Sequence, residues 1–100
     1  MLAEKVVMPP HMFACLDASG QNYVVEVDLP GVKKKDINLN MHDDIIHVQA
    51  EREDLVFHWH LHFPLKVNPK KARAKFNNGL LRVEVPLKEK RSPPTKIEVK

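Results

Sequence analysis

Three histidines, His58, His60 and His62, alternate with Phe57, Trp59, Leu61 and Phe63. Imidazole ligates metals and changes charge near pH ~6.5. In an extended strand rising ~3.3 Å per residue the three rings share one face, with neighbours ~6.6 Å apart. Two of them can share a zinc at ~2.0 to 2.1 Å per nitrogen, but a third ligand from the same straight strand is hard to reach and no cysteine lies nearby. The expectation is a polar outer face, with no metal assigned. A sharper alternative is a pH-sensitive edge: if this strand pairs with a second copy, acidification crowds like charges and loosens the pair.

Other chemistry finds little support. Cys15 as a nucleophile needs a lowered pKa and a base, and His11 is its one close sequence neighbour, so a structural or exposed thiol is expected. Gly20, Gly31 and Gly79 fall in three separate turns, so no phosphate-cradling loop forms. The carboxylates are scattered over turns and outer faces. No catalytic residue and no cofactor is assigned, and an enzyme is not expected.

The elements that position these residues read as strands. Asn78-Gly79 separates two alternating apolar runs, the strongest short hairpin signal, because both central residues of a type I′ turn need φ > 0. The second arm places Leu81, Val83 and Val85 on one face and Arg82 and Glu84 on the other, and Pro86 is expected to stop the ladder by removing a donor. Upstream, Tyr23, Val25, Val27 and Leu29 alternate with Val24, Glu26 and Asp28, and Pro30-Gly31 fits the centre of a type II turn. Ile37, Leu39 and Met41 then turn through Asp43-Asp44 into Ile46, Val48 and Ala50, a second hairpin. Asn68-Pro69 can start one helical turn. Six or seven short strands with frequent turns argue for an antiparallel β-sandwich.

A chain of 100 residues with 43% hydrophobic content makes a single domain, one small enough to lean on partners. One cysteine excludes an internal disulfide and points to a reducing cytoplasm. No apolar run suits a membrane span, and Met1 to Pro10 is too short and broken for a signal peptide. The net charge of +3 is spread over interleaved lysines and carboxylates, which reads as a solvated face.

The organisation is a short N-terminal arm over residues 1–10, a domain over residues 11–87 and a C-terminal extension over residues 88–100. Pro9-Pro10 favours an arm without ladder hydrogen bonds. In the extension, Ile97 and Val99 flank Glu98, and in an extended chain both point the same way. They make a two-pronged apolar hook, or they pack on the chain's own sheet or stay disordered; the spacing leaves both open.

Val27-Asp28-Leu29-Pro30-Gly31-Val32, Phe63-Pro64, the stretch from Ala74 through Pro86, and Ile97-Glu98-Val99 together resemble the small heat-shock proteins. The resemblance runs from about Pro10 to Lys100. It implies an all-β, antiparallel immunoglobulin-like β-sandwich, the α-crystallin domain, of about six to eight strands. It also implies an ATP-independent holdase that keeps unfolding clients from aggregating and works as dimers built into larger homo-oligomers. In that family the tail hook of one subunit docks between two edge strands of another. Carried over, the hook is Ile97 and Val99, and the candidate groove residues are Ile37, Leu39, Met41, Ala72, Ala74 and Phe76.

Two departures stand out. The segment between Glu51 and Phe57 is too short for the loop strand that bacterial, plant and archaeal members exchange between partners, which favours dimer pairing through the strand of His58, His60 and His62. The N-terminal arm is nearly absent, so the chain is either a weak chaperone or a domain of a longer protein. Trp59 also stands where arginine is frequent. The expected partners are other copies of the chain and partly unfolded clients, with no nucleic acid and no membrane. The alternative is a CS-like adaptor domain that binds another chaperone; a nucleic-acid binder lacks the aromatic platform it would need.

Overall fold

The computed structural model describes residues 5–100, so residues 1–4 of the N-terminal arm lie outside the described residues. Eight strands follow in chain order: β1 (Val6–Met8), β2 (Met12–Leu16), β3 (Asn22–Asp28), β4 (Ile37–Met41), β5 (Ile45–Arg52), β6 (Leu55–His62), β7 (Arg73–Asn77) and β8 (Leu80–Pro86). They form two four-stranded sheets, ordered β1-β6-β5-β4 and β2-β3-β8-β7. The fold is the all-β sandwich that the alternation implied.

The turns hold the registers. Asn78 and Gly79 have φ of 49° and 80°, the doubly positive signature of a type I′ turn, and they join β7 to β8 with Asn77 opposite Leu80. Gly31 has φ of 76° and Val32 N donates to Leu29 O at 3.2 Å, closing the turn through Pro30-Gly31. Two residues, Glu53 and Asp54, connect β5 to β6, with Arg52 opposite Leu55. Pro69–Lys71 forms the expected helical turn, as a single 3₁₀ turn, and a second covers Lys34–Asp36.

Period-two alternation decides what is buried. The inward residues of β3 and β8 (Tyr23, Val25, Val27, Leu81, Val83, Val85) meet Ile46, Val48, Ala50 and Phe57 from the other sheet, and the cluster continues into Leu29, Phe63 and Val67. Tyr23 and Phe63 rings pack with centroids 5.0 Å apart. At ~1.5 to 3 kcal/mol for each large apolar side chain removed from water, this layer is the main favourable term.

Two local expectations are corrected. The arm before Pro9-Pro10 does pair: Val6 N donates to Asp54 O at 2.8 Å, and β1 runs parallel to β6 over Leu55 to Phe57. The β-prone Val-Val-Met sequence takes the edge, and the donor-free prolines end the ladder at Met8. β8 does end at Pro86, but not because a donor is lost from its ladder to β3: Pro86 lies opposite Asn22, and Leu87 N still donates to Gln21 O at 2.8 Å. The missing donor therefore faces the side where β7 has already ended, and its absence disrupts nothing.

Candidate assembly groove and open edge

β4 and β7 are edge strands of different sheets, and between them runs a cleft lined by Leu39, Asn40, Met41, Pro69, Ala72, Arg73, Ala74 and Val83. Strand parity explains the lining. Ala74 and Phe76 stand opposite Val83 and Leu81, on the inward face, while Arg73 and Lys75 turn outward opposite Glu84 and Arg82. Ala74 is nevertheless exposed, because the two sheets part at this margin and a methyl group does not fill the gap. On β4, Leu39 and Met41 are half-buried and Asn38 and Asn40 point out.

Of the six residues assigned from sequence to a groove, Leu39, Met41, Ala72 and Ala74 line the cleft. Ile37 and Phe76 lie outside the lining and pack against the core. Pro69 and Val83 complete it. Their signal was in the sequence: Val83 is the hairpin partner of Ala74, and Pro69 opens the turn that delivers Ala72.

Ile97 and Val99 are 76% and 93% exposed, and residues 91–100 form no regular structure. The extension does not pack its apolar pair on its own sheet. It is tied down earlier, at Leu87, Lys88 and Arg91.

A further unfilled stretch of edge, among the described residues, belongs to β6. Phe63 N donates to Asp44 O, and from that bond the ladder alternates. The odd-numbered residues of β6 bond to β5, and the backbone groups of His58, His60 and His62 face the opposite edge. β1 covers that edge over Leu55 to Phe57 and leaves it open beyond. The three imidazoles stand on the outer face, and β5 adds a fourth: His47 is opposite His60, with ring centroids 5.6 Å apart, and His60 meets His62 edge-on at 5.9 Å. The two-residue link at Glu53-Asp54 already implied this pairing, by counting outward from the turn. Among the described residues no group of three or more His, Cys, Asp and Glu side chains is arranged to hold a metal. Cys15 is free and exposed on β2.

At the β2–β3 turn, the Asp17 carboxylate accepts bonds from Ser19 Oγ at 2.6 Å and Asn22 Nδ2 at 2.9 Å. The Ser19 bond first, and then the Asn22 bond, hold its pKa below the ordinary 3.8. The turn is thereby fixed at the place where the C-terminal extension passes.

With these edges and the free tail in view, comparison with known proteins is decisive: the Hsp20/alpha crystallin family model matches residues 16–100, spanning both groove strands and the tail. The chain belongs to that family. Among curated members, small heat shock protein C2 of Rickettsia felis is 28% identical over 101 residues, covering 85% of this chain and 65% of its own length. The 18 kDa antigen 2 of Mycobacterium avium is 32% identical over 94 residues, covering 80% and 67%. This chain thus spans about two thirds of the relatives it matches. Among solved structures, heat shock protein 16.0 from Schizosaccharomyces pombe superposes with a TM-score of 0.77 at 24% identity, over 93% of this chain and 99% of that one. A small heat-shock protein from Xylella fastidiosa gives 0.70 at 20% identity, over 93% and 97%. These two establish the shared sandwich.

Proposed function

We propose that this small heat-shock family chain is an ATP-independent holdase that keeps partly unfolded clients from aggregating and assembles with copies of itself through its tail. One observation carries the reading: an apolar cleft between two edge strands and an exposed Ile-x-Val pair occur on the same chain. Leu39, Met41, Ala72 and Ala74 receive Ile97 and Val99 of a neighbouring copy. Each prong contributes roughly 1.5 to 3 kcal/mol gross on burial, offset by ~1 to 2 kcal/mol for each backbone residue ordered. Docking is therefore weak singly and gains strength when several hooks act together. Reversible docking uncovers the apolar edges that clients would meet.

The dimer forms along the open part of β6, where the backbone groups of His60 and His62, beyond the reach of β1, lack a strand partner. The two-residue link between β5 and β6 leaves no strand to exchange, which favours edge pairing. The expected compartment is the cytoplasm, and among the described residues no helix is long and apolar enough to cross a membrane. The family match favours this reading over a CS-like adaptor.

The test is light scattering of a reduced, aggregating insulin solution with the full chain and without ATP. Suppression at near-equimolar ratio supports the holdase. Unchanged aggregation at several-fold excess refutes it.

A further inference from the structure

The extension is not free along its whole length: Lys88 N donates to Lys66 O at 2.9 Å, and on either side of Lys88 the residue that holds the chain is Gln21. Its backbone carbonyl accepts from Leu87 N at 2.8 Å, which ends the ladder between β3 and the chain after β8. Its side-chain amide then holds the chain a second time: Nε2 donates to Arg91 O at 3.3 Å, and Arg91 N donates to Oε1 at 3.2 Å. An amide that gives and takes with one residue's backbone reproduces a strand pair, and so sets direction as well as position.

The direction matters because of the sheet order. In β2-β3-β8-β7 the groove lies on the β7 side, whereas Gln21 draws the chain over β3 toward β2. Residues 91–94 lie against Leu16 to Gln21, on the turn that Asp17, Ser19 and Asn22 brace. Pro93-Pro94 then carries the heading onward as a stiff extended segment, at ~3.1 Å per residue. The radius of gyration, 16.3 Å, exceeds the ~13 Å of a compact chain of this length, consistent with a tail held off the body.

We infer that Gln21 is a positioning residue that steers the extension away from its own groove, so that Ile97 and Val99 are presented to a second copy. This rests on the proposed docking of hook into groove. Without the clamp, the hook can fold back onto its own β4–β7 cleft and block it.

The test uses the full chain on a Cys15→Ser background, with spin labels at Lys75→Cys and Glu98→Cys, diluted into excess unlabelled protein so that only distances within one chain are read. With Gln21 present a long distance is expected. Gln21→Ala should accelerate hydrogen exchange at the Arg91 amide several-fold and bring in a short-distance population that disappears when Ile97→Ala and Val99→Ala are added. Gln21→Glu, which keeps the acceptor for Arg91 N, should fall between. A short distance already present with Gln21, or a Gln21→Ala chain with unchanged exchange or no short-distance population, overturns the steering role. The docking reading fails separately, through an assembly mass indifferent to Ile97→Ala and Val99→Ala.

Discussion

Ala74 and Val83 are directly paired on the same face of the β7–β8 hairpin, yet Val83 is fully buried and Ala74 is exposed. The difference marks where the core ends and the groove begins. A larger charged group at Ala74 should fill the cleft without disturbing the layer beneath it. Ala74→Glu is expected to lower the assembly mass toward a dimer or monomer while shifting stability by no more than about 0.5 kcal/mol, as at other exposed positions. Light scattering paired with a urea titration reads both quantities.

At Gly79 a side chain would meet backbone. Its φ is 80°, its carbonyl accepts Leu29 N at 2.7 Å, and an added Cβ would sit 3.4 Å from Pro30 Cα. Left-handed geometry costs an L side chain ~1 to 2 kcal/mol. Gly79→Ala is expected to lose about that much, visible as a lower urea midpoint at unchanged slope.

Asp17 gives a pH dependence with a definite sign. Its folded pKa lies below 3.8 because the carboxylate accepts bonds from Ser19 and Asn22. A depressed carboxyl adds stability that is fully present above the unfolded value and is lost as pH falls through the folded one. Between about pH 5 and pH 2 the natural chain should therefore lose more stability than Asp17→Asn, and melting curves across that range compare the two. An equal loss in both chains would remove Asp17 from the acid response.

His60→Pro separates the two edges of β6. The His60 backbone groups face the open side, so proline removes a donor that the β5–β6 ladder does not use. The variant should stay folded by circular dichroism and fail to form the edge dimer, with solution mass dropping to that of single chains when the hook is also removed.

Strand identities and turns were legible because the pattern is local. Alternation from Ile46 to Ala50 and from Leu81 to Val85 marked the buried faces, as it did from Tyr23 to Leu29 except at Val24, which is buried on the opposite face, and Asn78-Gly79 and Pro30-Gly31 marked two turns. What the sequence hid depends on contacts between distant segments. β1 reads as a free arm until β6 supplies an edge for it. Ile37 and Phe76 share parity with the groove residues but lie outside the cleft, since parity says which way a side chain points and not how far the sheets have parted. His47 became the neighbour of His60 through a turn that could have been counted, whereas the bond between Gln21 and Arg91 joins residues 70 apart and leaves no pattern to read.

The most direct measurement is the solution mass, by light scattering, of the intact chain and of a chain carrying Ile97→Ala and Val99→Ala. If the hook assembles the protein, the intact chain is larger than a dimer and the double variant falls to a dimer or monomer. The same mass for both chains would contradict assembly through the tail.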